Sequence, residues 1–153
     1  MRAPLRLAAA AAVLLATMRA RAQAPAAEVA VIVHLSSAIR HLDSAELEAI
    51  FTSSRRTWPD GSAVIAFSYA PDDPLRQRFD LAVLRMSPDQ VGRFWVDERV
   101  RADRRPPRQV PDAILAVRLV ARLPGSIAFV PATLVSKDVR VVARLQKDTV
   151  VDP

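Results

Sequence analysis

The side chains best suited to hold a ligand fall into two groups. Ser36 and Ser37 come directly after a β-branched segment and before a helix, a position at which α/β proteins bind ligands. The second group is a run of basic side chains in a proline-containing loop: Arg99, Arg101, Arg104, Arg105 and Arg108. Guanidinium groups match the oxygen atoms of phosphates and carboxylates, so this run predicts a site for an anion or an acidic partner. The alternatives are ordinary turn hydroxyls for the serines and a solvated loop for the arginines.

Patterns typical of catalysis and metal binding are missing from the sequence. His34 and His41 are the only histidines and there is no cysteine, so no set of zinc ligands is predicted. Asp72 and Asp73 are adjacent, and their side chains diverge instead of facing each other as an acid–base pair would. The sequence also lacks a Gly-x-Ser-x-Gly elbow, a Ser-x-x-Lys pair and a glycine-rich phosphate loop. We therefore predict a protein that is not an enzyme and that has no cofactor and no metal.

Alternating strand and helix patterns position these side chains. Apolar, β-branched runs predict strands over 28–33, 62–69, 126–130 and 139–143. Capping signals predict a helix over 44–51 and the starts of two more at Asp73-Pro74 and Ser87-Pro88, and apolar residues at helical spacing predict another helix over 112–122. Residues 99–110 lack apolar periodicity and are predicted to form a loop, whereas Trp58 and Trp95 are predicted to pack in the core. The order β-α-β-α-α-α-β-β predicts one α/β layer domain, but it leaves the pairing of the strands open.

The first 22 residues have the pattern of a secretory signal peptide. Arg2 and Arg6 precede an apolar run over 7–18, which is too short to span a bilayer, and small residues follow at 20, 22 and 24. Cleavage is predicted after Ala22, within a small-x-small pattern, so that residues 23–153 form the exported domain. An uncleaved anchor or an amphipathic helix is the alternative.

Removal of this segment changes how the net charge is interpreted. The segment carries four of the 22 basic residues and no acidic residue, so its loss lowers the net charge from +6 to +2. A nearly neutral chain with one tyrosine offers no stacking platform for bases, and no nucleic-acid partner is predicted. Since an oxidising compartment would permit disulfides and the chain has no cysteine, its stability must come from its core alone.

Several segments, in the same order, resemble the phosphate-binding proteins of ABC transporters, in particular a group of short, single-lobe PstS-like members. The main matching segments are residues 42–51 (LDSAELEAIF), 58–61 (WPDG), 87–90 (SPDQ), 105–107 (RPP) and 123–130 (LPGSIAFV). The resemblance covers about residues 28–143. It implies a type II periplasmic-binding-protein fold of a single lobe, with a mixed sheet flanked by helices, and a location in the periplasm.

The resemblance also implies where an anion would bind, and there this chain departs from the family's pattern. Members that hold phosphate do so with Ser, Thr and Gly at the starts of helices. The corresponding turn here, residues 68–74, contains neither Gly nor Thr, and it places Asp72 and Asp73 where the anion would lie. Carboxylates repel a phosphate dianion, and Asp73 is placed to cap its own helix. The candidate ligand-binding residues are Ser36, Ser37, Ser68 and Arg105.

Two functions follow from this resemblance. In the first, the protein is an exported solute-binding protein for phosphate or another small oxyanion. In the second, it is a periplasmic interaction module that keeps the fold, has lost phosphate binding and works beside a membrane transporter or a sensor. The Asp72-Asp73 turn favours the second function, as does a chain about half as long as a two-lobed binding protein. Neither function requires a membrane-spanning segment once the leader is removed.

Overall fold

The computed structural model describes residues 27–146 and 148–153, and the predicted signal peptide lies outside them. The described residues form an α/β fold, as predicted. Its strands are β1 (Val29–His34), β2 (Ile65–Ser68), β3 (Arg108–Gln109), β4 (Ser126–Pro131), β5 (Val139–Gln146) and β6 (Thr149–Val151). Its α-helices are α1 (Ser44–Phe51), α2 (Pro74–Phe79), α3 (Pro88–Ala102) and α4 (Ala113–Val120). A π-helical turn (Asp80–Leu84) continues α2, and a 3-10 turn (Ala132–Leu134) follows β4. No helix in the described ranges has the length and apolar character needed to cross a bilayer.

The six strands form one mixed sheet in the order β3-β2-β4-β1-β5-β6. β2 is parallel to both β3 and β4, whereas β1 is antiparallel to its neighbours β4 and β5. Residues 29–33 of β1 are at most 1% exposed, because helices or loops cover both faces of this central strand. That burial explains why β1 is a continuous apolar run instead of an alternating one.

An aromatic cluster joins the helices to one face of the sheet. The rings of Phe79 and Phe129 stack with their centroids 3.9 Å apart, and Phe51 meets both rings edge-on. Tyr69 packs edge-to-face on Phe129 and donates a 2.6 Å hydrogen bond from its hydroxyl to the Phe129 carbonyl oxygen. Burial raises the pKa of Tyr69, which therefore stays a neutral donor. The cluster fixes α1 and α2 against the centre of the sheet.

The structure differs from the sequence predictions of secondary structure at several places. Helix α3 continues through residues 99–102, which were predicted as loop, because this part of the helix faces solvent and needs no apolar periodicity. β3 lies within the same predicted loop, and β6 was not predicted at all. The strand predicted over 62–69 begins only at Ile65, since Ala63 instead bridges back to Thr57 across the preceding turn.

The two tryptophans differ in their burial. Trp58 is 6% exposed, belongs to the core and donates a 2.9 Å hydrogen bond from Nε1 to the carbonyl oxygen of Gly125. The prediction of core packing is thus confirmed for Trp58. It was wrong for Trp95, which is only half-buried on α3, stands against Phe94 and lines a surface cleft.

Candidate functional site

Strand direction separates the candidate ligand residues into two places. Because β1 runs antiparallel to β4, its carboxyl end lies beside the amino ends of β4 and β2, where Val33 pairs with Ile127 and Ile65 pairs with Ser126. The loop with Ser36 and Ser37 is therefore at that end of the sheet. Ser68 ends β2 and lies toward the opposite end. The structure does not bring these three hydroxyls into one site.

The hydroxyls of Ser36 and Ser37 serve their own turn. Ser36 Oγ lies 2.7 Å from His34 Nδ1, and Ser37 Oγ accepts a 3.2 Å hydrogen bond from the backbone N–H of Ile39. Arg140 approaches this turn from β5 and donates a hydrogen bond to the Ser37 carbonyl oxygen. These contacts agree with the alternative role given to Ser36 and Ser37 from the sequence, in which their hydroxyls stabilise the turn.

Ser36 and Ser37 also line a cavity of about 560 Å³ between the turn, Trp58 and the loop before β4. Its wall includes Asp60, whose carboxylate accepts hydrogen bonds of 2.6 and 2.9 Å from the hydroxyl and the backbone N–H of Ser62. Those two hydrogen bonds lower the pKa of Asp60, so the group is negatively charged at neutral pH. An oxyanion entering this cavity would meet a carboxylate.

Ser68 is a buried structural residue at the end of β2. It is 6% exposed, and its carbonyl oxygen accepts a 2.8 Å hydrogen bond from the backbone N–H of Val110, directly after β3. This contact anchors the chain that follows β3 to β2.

The turn after Ser68 confirms that Asp73 is a helix cap. One carboxylate oxygen of Asp73 accepts hydrogen bonds from the backbone N–H groups of Leu75, at 2.8 Å, and Arg76, at 3.3 Å. Pro74, the first helical residue, has no N–H to offer. The donors that an external anion would use at the start of α2 are therefore already bound to Asp73.

The other helices of the described structure begin in the same way. Asp43 caps α1, Ser87 caps α3 and Asp112 caps α4, each by accepting a hydrogen bond from a backbone N–H of the first turn, at 2.8, 3.4 and 2.8 Å. Three of the four caps are carboxylates, which also complement the positive end of the helix dipole. Each of these four helix starts thus has an internal acceptor in place of a ligand.

A nearly buried ion pair lies beside the α2 turn and was not anticipated from the sequence. Arg76 Nε lies 3.2 Å from the Asp80 carboxylate, and Arg76 Nη1 donates a 2.7 Å hydrogen bond to the Tyr69 carbonyl oxygen. Burial raises the pKa of Asp80, and the nearby guanidinium offsets only part of that effect. The pair lines a cleft of about 450 Å³ whose walls include Trp95. The only sign of this ion pair in the sequence is the i, i+4 spacing of an arginine and an aspartate.

Arg105 is exposed and lines a second depression, of about 350 Å³, whose lining includes none of the three candidate serines. Arg108 lines the same depression, as do Arg55 and Arg56 from the loop after α1, which the sequence analysis did not single out. Of the remaining predicted arginines, Arg104 is paired with Glu98 at 2.8 Å, whereas Arg99 and Arg101 belong to α3. The predicted cluster is thus divided between a helix and one concave surface. No group of three or more metal-binding side chains occurs within residues 27–146 and 148–153.

Comparison with known proteins relates this fold to phosphate-binding proteins. No family model and no curated protein sequence matches the chain. Solved structures do match. An ABC-type phosphate transport receptor from Vibrio cholerae superposes on 80% of this chain with a TM-score of 0.61 and 14% sequence identity. PstS from Borrelia burgdorferi superposes on 78% of this chain with a TM-score of 0.59 and 11% sequence identity. A Clostridium perfringens protein assigned as a phosphate ABC transporter substrate-binding protein, solved with bound phosphate, superposes on 78% of this chain with a TM-score of 0.62 and 14% sequence identity.

These similarities show the fold, which is that of periplasmic binding proteins. The chain spans about half the length of the structures that it matches: 51% of the chain from Vibrio cholerae, 48% of that from Borrelia burgdorferi and 46% of that from Clostridium perfringens. The identity is too low to transfer a ligand site, so the function depends on this chain's own residues.

Proposed function

We propose that this protein is an exported, periplasmic module of the phosphate-binding-protein fold that acts through contacts with other proteins and does not capture free phosphate. Its neighbours in fold are binding proteins of phosphate transport, which makes a membrane transporter or a sensor of the same process the partner we expect. The predicted signal peptide and the nearly neutral charge of the remaining chain fit this location.

The observation that carries the proposal is the occupation of the helix starts. An oxyanion site of the helix-start type needs backbone N–H groups that are free and a surrounding without negative charge. At α2 the Asp73 carboxylate already accepts from two of these groups, and the exposed Asp72 adds a second negative charge. Since α1 and α4 also begin with a capping aspartate, a phosphate dianion would be repelled at three helix starts.

The competing function, capture of phosphate or a similar oxyanion, is tested by isothermal titration of the processed protein with inorganic phosphate, sulfate and arsenate at physiological ionic strength. We expect no saturable binding tighter than about 0.1 mM, against the micromolar range of a working scavenger, a difference of roughly 3 kcal/mol. One-to-one micromolar binding that survives added salt would overturn the proposal, because exposed arginines alone bind in a salt-sensitive way.

The interaction itself is tested by photo-crosslinking in the periplasm. A photo-reactive side chain is introduced at one exposed position at a time, and crosslinked products are identified by mass spectrometry. We expect one defined partner, captured from a contiguous group of positions. Crosslinks from positions scattered over the whole surface, or no crosslinked product at any position, would count against an interaction module.

A further inference from the structure

The arginines that line this depression come from two chain segments that are distant in sequence. Arg55 and Arg56 follow α1, whereas Arg105 lies between α3 and β3 and Arg108 is the first residue of β3. The four side chains surround one concave region of about 350 Å³. Their convergence was not visible in the sequence, where the two pairs are about fifty positions apart.

Positive charge around this depression is only partly neutralised. Arg55 lies 3.1 Å from Glu46. Arg56, Arg105 and Arg108 are exposed, and no carboxylate in the described part of the chain lies within ion-pair distance of any of them. Guanidinium groups that share one concave surface concentrate positive potential there, and an anionic group would relieve their mutual repulsion.

The depression also contains apolar surface. Val64, just before β2, and Ala66 of β2 contribute to it, and Pro106 and Pro107 contribute from the arginine loop. A bare oxyanion gains nothing from such groups. A peptide segment in which carboxylates alternate with small apolar side chains can use the guanidinium groups and the apolar surface together.

Hydrogen bonds join the loop after α1 to the loop between α3 and β3. Ser53 Oγ donates to the carbonyl oxygen of Arg105 at 2.8 Å, and Arg104 Nη1 donates to Ser54 Oγ at 3.4 Å. Pro106 and Pro107 restrict the backbone that follows. A surface that is ordered before binding loses less conformational entropy when a partner docks.

We propose that this depression docks a short acidic segment of the partner protein, extended and with small apolar side chains between its carboxylates. This inference rests on the proposed function as an interaction module and names the chemistry of the partner. The concave shape and the apolar surface favour a protein segment over a flat, anionic membrane surface, which the experiment below treats as an alternative.

The test uses the processed protein and a short labelled peptide of alternating glutamate and valine, with the glutamine–valine peptide as its uncharged counterpart. Binding is measured by fluorescence anisotropy at about 0.15 M salt, where long-range attraction is largely screened. The double variant Arg105→Glu/Arg108→Glu should weaken binding of the acidic peptide by at least about ten-fold. The matched control Arg118→Glu/Arg122→Glu makes the same charge change at exposed positions on and just after α4, outside the depression, and should weaken it by less than about two-fold.

Three results would overturn the inference: equal weakening by both double variants, equal binding of the glutamine–valine peptide, or no binding of the acidic peptide while vesicles of phosphatidylglycerol bind in an Arg105- and Arg108-dependent way. Circular dichroism of each variant verifies folding, and Arg105→Gln/Arg108→Gln serves as a milder pair. The phosphate titration described above is independent of this test. Micromolar phosphate binding would contradict the proposed function itself, whereas loss of peptide selectivity alone would contradict only the proposed docking surface.

Discussion

The guanidinium group of Arg76 lies 3.2 Å from the carboxylate of Asp80, four residues further along the chain, and their side chains are only 13% and 12% exposed. Burial nevertheless raises the pKa of Asp80 above its ordinary value, because the loss of hydration outweighs the attraction of the guanidinium. The folded protein therefore binds this proton more tightly than the unfolded chain does.

The raised pKa predicts a pH dependence of stability. The contribution of Asp80 is most favourable below its ordinary pKa, declines as the pH rises toward the pKa of the folded state, and then stays constant. The variant Asp80→Asn lacks this titration, so its free energy of unfolding relative to the wild type should increase with pH through that acidic range. Urea unfolding at a series of pH values measures the difference. A difference that decreases with pH would mean that the attraction of Arg76, and not burial, determines the direction in which the pKa of Asp80 is shifted.

The cap at the start of α2 predicts a measurable loss of stability. Asp73→Ala removes the acceptor for the N–H groups of Leu75 and Arg76 and should cost about 1 kcal/mol. Asp73→Ser keeps a capping oxygen and should cost less. Asp72→Ala, at the exposed neighbour, serves as the control and should change stability by no more than about 0.5 kcal/mol. Chemical denaturation of the three variants decides between a cap and an ordinary surface charge.

Two glycines in turns provide a matched comparison of strain. Gly61 and Gly125 both have positive φ, at 84° and 80°. A Cβ atom at Gly125 would lie 2.6 Å from the carbonyl oxygen of Ala63, whereas one at Gly61 would have nothing within 4 Å. Gly61→Ala should therefore cost about 1 kcal/mol, from the left-handed backbone alone, and Gly125→Ala clearly more. Equal melting temperatures for the two variants would contradict the close approach at Gly125.

Export predicts a defined amino terminus. If residues 1–22 are a signal peptide, the protein recovered from the periplasm should begin at Gln23, which intact-mass analysis can establish. Ala22→Leu, which breaks the small-x-small pattern, should slow processing and leave the precursor at the membrane. Recovery of soluble wild-type protein that still begins at Met1 would exclude the leader.

Local signals were readable from the sequence because they act over three or four residues. The boundaries of α1 and the caps of α2 and α3 were predicted correctly from Asp43, Asp73 and Ser87, since a side chain and its own first turn contain the whole interaction. The exposed end of α3 was missed, because a solvent-facing helical turn leaves no apolar pattern.

The candidate site could not be predicted as a unit, since its members meet only through long-range pairing. Ser36 follows β1 and Ser68 is the last residue of β2, but the opposite directions of the two strands separate these residues. The direction of a strand cannot be read from a short apolar run. Conversely, Arg55 and Arg105 line one depression because Ser53 Oγ hydrogen-bonds to the Arg105 carbonyl oxygen. No spacing rule relates residues so distant in the chain.

The central place of β1 has a consequence for how this chain reaches its fold. Val29 pairs with Pro131 on one side and Leu145 on the other, so β1 finds both its partners about a hundred or more positions further along the chain. Such non-local pairing slows folding and leaves an apolar strand unprotected until both partner strands have been made. If the chain is exported as proposed, this delay is an advantage, because a partly made molecule lacks the strands that would complete its fold before it crosses the membrane.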